Sequence, residues 1–181
     1  IEGMVKRGEA SWASLAAAER EEMGQAVAMY TEAAAQGHMR AQFGLGLIYH
    51  EGRGVARDMD RATKLYTQAG QQGDARAYCN LGILLQNEWQ DMDGAEKAYR
   101  AAIEADPGHA DAHNNLGILL EERAQQIEDR NGKKAAALYD ECAQLWSFSK
   151  GRDHDWTKGA EADAQRVRAV LARSKAERGK G

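Results

Sequence analysis

The feature that most constrains this chain is a spaced repetition. The pair Leu-Gly occurs at Leu45-Gly46, Leu81-Gly82 and Leu116-Gly117, at intervals of 36 and 35 residues. An alanine stands four residues before each leucine, at Ala41, Ala77 and Ala112. A second pattern, A-x-x-x-Y-x-x-[AC], alternates with the first. It occurs at Ala26/Tyr30/Ala33, Ala62/Tyr66/Ala69, Ala95/Tyr99/Ala102 and Ala135/Tyr139/Cys142. Positions i, i+4 and i+7 share one face of a helix, so each copy is a stripe with one ring between two small residues. The small residues let a neighbouring helix approach closely. A helix pair of this size cannot bury its apolar face alone, so stacked copies must share one core.

Composition agrees with helices and argues against sheets. Of 181 residues, 34 are alanine, while Val, Ile and Thr together number 15 and proline occurs once, at Pro107. A pleated sheet needs β-branched and aromatic residues on its faces, and this chain has few. The net charge of -4 supplies no global basic field for nucleic acid. The longest apolar runs, Leu81 to Leu85 and Leu116 to Leu120, fall far short of the roughly 18 residues that span a bilayer. Two cysteines, Cys79 and Cys142, make no disulfide framework, which favours a reducing compartment such as the cytoplasm. The chain opens on Ile1 rather than methionine, which leaves a fragment, a processed product or a lost targeting segment open.

The motifs carry a family resemblance. Ala95 to Pro107 reads AEKAYRAAIEADP and Ala110 to Leu120 reads ADAHNNLGILL. Together they resemble the tetratricopeptide repeat with its closing Asp-Pro. Ala41 to Ala62 reads AQFGLGLIYHEGRGVARDMDRA, which resembles the related Sel-one-like repeat: L-G-x-x-Y, then G-x-G-V, then an aspartate before the second helix. The resemblance spans roughly residues 10 to 146 and implies an all-α, right-handed solenoid that binds partners. About four helix-pair units are expected. The first is degenerate, opened by Trp12 and Leu15; the others span Ala41 to Gln71, Ala75 to Asp106 and Ala110 to about Trp146. In the last, the polar stretch Gln125 to Lys134 is expected to extend a helix or project as a loop. Residues 1–146 thus form the repeat array, 147–159 a polar linker, and 160–181 a C-terminal capping helix with a frayed tail.

The resemblance also implies a binding face. In such solenoids the first helix of each unit lines a concave groove, and its positions are counted from the Leu-Gly leucine. Among them are Arg40, Phe43, Leu47 and His50 in the second unit, Arg76, Asn80, Ile83 and Gln86 in the third, and Asn114, Asn115 and Ile118 in the fourth. Family members that grip a C-terminal carboxylate use lysine and asparagine there. Phe43, Cys79 and Asn114 stand where a lysine is wanted, which argues against a carboxylate clamp. The expected ligand is an extended or helical apolar segment lying on Leu47, Ile83 and Ile118, with Asn80 and Asn115 hydrogen-bonding its backbone. The competing reading of these residues is ordinary packing and backbone satisfaction.

No constellation for catalysis is found, and no metal or cofactor is expected. His109 and His113 are four apart, but no third ligand accompanies them. Asp153-His154-Asp155 reads as a solvated loop, and Gly52-Arg53-Gly54 as a turn rather than a phosphate loop. Cys79 and Cys142 read as buried thiols. The basic C-terminal end, with Arg166, Arg168 and Arg173, is interspersed with acids and makes a weak case for RNA or membrane contact. The leading expectation is a non-enzymatic adaptor that holds a protein or peptide in its groove. The alternatives are a structural subunit of a larger complex and a regulatory repeat domain of a longer enzyme.

Overall fold

The computed structural model describes residues 17–151 and 154–178, and the side chains of residues 21–151 and 154–172. Eight α-helices are described, with no strand among the described residues: α1 (Ala17–Ala35), α2 (Met39–Glu51), α3 (Met59–Gln71), α4 (Ala75–Asn87), α5 (Met92–Ala105), α6 (Ala110–Ile127), α7 (Gly132–Ser149) and α8 (Asp155–Arg178). Trp12 and Leu15, expected to open the first unit, lie outside the described residues, as does Asp153.

Helix boundaries follow from local chemistry. Asp58 and Asp74 are N-caps whose carboxylates accept hydrogen bonds from the first-turn amides of α3 and α4. Asn131 caps α7 in the same way. His109 caps α6, its Nδ1 accepting from the Ala112 amide at 3.2 Å. The turns before α2 and α4 pass through Gly37 and Gly73, at φ 84° and 96°. That left-handed geometry ends a helix cheaply only with glycine.

The chain divides into two compact units between Ala98 and Tyr99. In the first, α1 packs on α2, α2 on α3 and α3 on α4. One core cluster joins Ala34, Ala41, Leu45 and Ile48. Another joins Ala62, Tyr66, Ala69, Ala77, Leu81 and Leu84. The glycine of the Leu-Gly pair has a definite purpose here: a Cβ on Gly46 would come within 2.7 Å of the Tyr66 ring. Removing that carbon lets the ring sit flush against the helix backbone.

In the second unit, α6 packs on α7 and α7 on α8. The polar stretch after Leu120 extends α6, which runs on to Ile127. The stretch expected as a linker over 147–159 is helical up to Ser149 and again from Asp155. The helix expected from Ala160 therefore starts five residues earlier. Its buried stripe of Ala160, Ala164 and Val167 continues back to Thr157, which is buried and whose hydroxyl donates to the Gly151 carbonyl at 3.1 Å. A threonine on that stripe hides the continuation from an apolar reading of the sequence. Ala164 and Val167 pack against Ala124, Ala135, Ala136 and Tyr139. Arg166 pairs with Glu128 and Asp163, and Arg168 with Asp140, across the exposed side of the same contact.

Candidate partner-binding face

In the first unit the expected groove positions fall on α2 and α4. Phe43, Leu47, His50, Asn80, Ile83 and Gln86 are each half-buried, while Arg40 and Arg76 are exposed. Phe43 and Leu47 lean on the edge of the core around Tyr66. Arg76 is held in place from two directions. Its guanidinium meets the buried Asp74 carboxylate at 3.0 and 2.7 Å, and it lies 4.4 Å from the centroid of the Phe43 ring. A forked donor pinned on a carboxylate and a ring face keeps little freedom.

Two of the expected groove residues meet on one buried phenol. The Tyr66 hydroxyl lies 3.2 Å from His50 Nδ1, and the Asn80 side chain hydrogen-bonds the same hydroxyl. Burial pushes the Tyr66 phenol well above its ordinary value, with the Asn80 bond acting in the opposite sense. Burial and the Arg57 charge hold His50 below the ordinary imidazole value, against the smaller pull of Glu51 and Glu88. His50 and Asn80 share one buried hydroxyl as a hydrogen-bond partner. The polar ends of His50 and Asn80 are thus spent partly inside the protein. Gln86 also has a polar partner within the chain.

In the second unit Asn114, Asn115 and Ile118 lie on α6 and are half-buried. The Asn114 carbonyl accepts from Trp146 Nε1 at 3.4 Å, and its side-chain oxygen is buried without a hydrogen-bond partner. Asn115 has a polar partner. Gly117 is to Trp146 what Gly46 is to Tyr66, since a Cβ there would run into the indole.

The chemically suggestive residues have structural uses. The His113 Nε2 bonds the Pro107 carbonyl at 3.1 Å, and its ring stacks on Phe148 at 4.2 Å. His154 Nδ1 accepts from the Trp156 amide at the start of α8. Cys142 is buried, donates to the Gly117 carbonyl at 3.3 Å, and has its thiol pushed up to about 12, mainly by burial. No group of three His, Cys, Asp or Glu among the described residues is arranged to hold a metal ion.

Sequence reasoning missed one feature. Ala26, Met29, Tyr30 and Ala33 of α1, with Arg40 and Ala41 of α2, line a cavity of about 480 Å³. Its signal was present in the repeat, because Ala26/Tyr30/Ala33 is a seam stripe like the other three. Periodicity reports the stripe but not whether anything covers it.

The Sel1 repeat model matches residues 20–38 and 40–74, and a tetratricopeptide repeat model matches residues 98–139. This chain is a Sel1-like and tetratricopeptide-like helical-repeat protein. The fold is an all-α repeat solenoid. It is similar to a crystallised Sel1 repeat protein from Oxalobacter formigenes, with 25% identity and a TM-score of 0.53, covering 78% of this chain and 64% of that one. It also resembles in fold a protective antigen of uropathogenic Escherichia coli strains that displays an SLR fold. That match has 21% identity and a TM-score of 0.54, covering 82% of this chain and 34% of the antigen. The repeat protein therefore spans less than two thirds of the length of either relative. No curated protein matches it by sequence. Repeats of this family commonly serve as protein–protein interaction modules and are typically non-catalytic.

Proposed function

We propose that the repeat protein is an adaptor that holds an extended or helical apolar segment of another polypeptide on the faces of its first-of-pair helices. The observation that supports this most is that Phe43, Leu47 and Ile83 are each half-buried, with Arg76 held over the Phe43 ring. Apolar side chains left half open next to a pinned cation suit a ligand with an apolar stripe and an acidic or carbonyl flank. Specificity comes from the strip and from Arg40 more than from His50, Asn80 and Arg76, whose polar atoms already serve Tyr66 and Asp74. In the second unit Asn114, Asn115 and Ile118 offer the corresponding positions. Residues 1–146 act as the binding array in this reading, and α8 caps its end.

The test compares polypeptides captured from the native source by the unchanged chain and by Leu47→Glu/Ile83→Glu. The expected result is loss of a specific captured species, at least about tenfold, with the far-UV helix signal retained. Equal capture by both forms overturns the reading.

A second reading is favoured by a different observation. Phe148 and Trp156 are 57% and 46% exposed at the end of α7 and the start of α8, although Trp146, whose ring lies 5.7 Å from that of Trp156, is buried. Aromatic rings left open beside a terminal helix suit a permanent subunit interface. In that case a Phe148→Ser/Trp156→Ser variant, and not the groove variant, would lose its partner.

A further inference from the structure

Two histidines fasten the start of α6, and each does so with its Nδ1 bare of a proton. His109 Nδ1 accepts the Ala112 amide at 3.2 Å, where α3, α4 and α7 use an oxygen of Asp58, Asp74 and Asn131. A ring nitrogen that accepts a hydrogen bond carries no hydrogen of its own. One turn on, His113 Nε2 meets the Pro107 carbonyl at 3.1 Å. A carbonyl only accepts, so Nε2 holds the hydrogen of that ring and Nδ1 is again bare. This Nδ1 is buried without a hydrogen-bond partner, and the ring packs on Phe148 of α7.

We propose that the start of α6 is a proton-sensitive latch, closed while both imidazoles are neutral and released when they take up a second proton. On His109 that proton occupies the acceptor lone pair, so the Ala112 amide loses its partner. It also sets a positive charge at a helix N-terminus, where the peptide dipoles already present their positive end. On His113 the proton lands on a buried nitrogen with nothing to receive its hydrogen bond. The nearest charged groups along the chain are Glu104, Asp106 and Asp111, all exposed, and Asp106 already accepts the Gly108 amide. From α7, the helix packed on α6, the uncharged Phe148 ring faces His113. Screened carboxylates and one ring face offset part of the added charge and restore neither hydrogen bond. Protons therefore favour the released form: the latch holds at and above neutral pH and opens as pH falls through the range in which imidazole titrates. Asn114 and Asn115 lie within the same two turns of α6, so the latch sets how firmly they are held. It does not depend on what binds them.

The test is amide hydrogen exchange of the full chain at about pH 7.5 and about pH 5.5, read by NMR and corrected for intrinsic exchange. The Ala112 amide reports the latch. The Lys134 amide, held by Asn131 at 3.3 Å in the same unit, is the control, because an amide oxygen does not titrate. Protection at Ala112 should fall at least about fivefold on acidification while Lys134 holds. His109→Asn keeps an acceptor oxygen in place of Nδ1 at every pH, and His113→Gln keeps a donor in place of Nε2. The double variant should lose the response with its far-UV helix signal retained. His109→Asn alone, a change at a half-buried cap, should already remove the response at Ala112. Equal protection of Ala112 at both pH values overturns the proposal. So does a fall that persists in His109→Asn, or one that Lys134 matches, since acid then acts on the whole unit.

Discussion

The hydroxyl of Tyr66 lies 3.2 Å from Nδ1 of His50, 16 residues earlier in the chain. With Asn80 on the same oxygen, the pair ties α2, α3 and α4 together through one buried polar atom. Such an atom is costly to leave unmatched.

This geometry has a pH consequence. Burial, and then Arg57, hold His50 below its ordinary value of 6.5. Between that value and its folded value, the unfolded chain binds the proton and the native chain does not. Stability is therefore fully present above the ordinary value and is lost as pH falls towards the folded one. Thermal melts from about pH 8 down to about pH 5 should show a decline that flattens in His50→Gln. An identical slope in both forms removes His50 as the cause.

The helix glycines divide into two kinds. Gly46 abuts the Tyr66 ring, so Gly46→Ala should destabilise the protein by about 1–3 kcal/mol despite the better helix propensity of alanine. Gly24, in α1, has nothing within 4 Å of an added Cβ. Gly24→Ala should therefore stabilise by about 0.5–1 kcal/mol. Urea unfolding of both variants checks the contrast, and a shift of the same sign in both contradicts it.

Both thiols are sealed. Cys79 and Cys142 are buried, and the Cys142 thiol is pushed up to about 12 by burial, then by Glu121 and Glu141. Alkylation of the native protein near neutral pH should run about two orders of magnitude slower than in denaturant at both sites. Rapid labelling of the folded chain at either cysteine would show that its site opens.

The last helix is held more by its apolar stripe than by its charges. Val167 is buried against Ala135 and Tyr139, so Val167→Asp should cost on the order of 3 kcal/mol. Arg166 is half exposed on the outside of the same contact, where its pairing with Glu128 and Asp163 is screened. Arg166→Gln should change stability slightly at low salt and not at high salt. A large effect that persists in salt would place the anchoring in the ion pairs.

Much of the fold was legible. The alternation of the Leu-Gly and A-x-x-x-Y stripes announced helix pairs, and Gly37, Gly73 and Pro107 marked where they turn. The start of α8 was not legible, because Thr157 interrupts the apolar pattern. The candidate groove positions were legible as places on helices, since counting from Leu45, Leu81 and Leu116 gives their register. Their chemistry was not: nothing in the spacing shows that His50 and Asn80 meet on the Tyr66 hydroxyl.

The sequence by itself determined which residues share a helix face, because 3.6 residues per turn is a property of the backbone alone. It therefore determined the helical-repeat class and the need for small residues at Ala62, Ala77 and Gly46. Only the tertiary structure decided which of those faces are covered. Coverage depends on helices brought together from distant parts of the chain, and no local spacing encodes it. That is why the burial of Tyr66, Tyr99 and Tyr139 follows from the packing around them and not from their shared spacing.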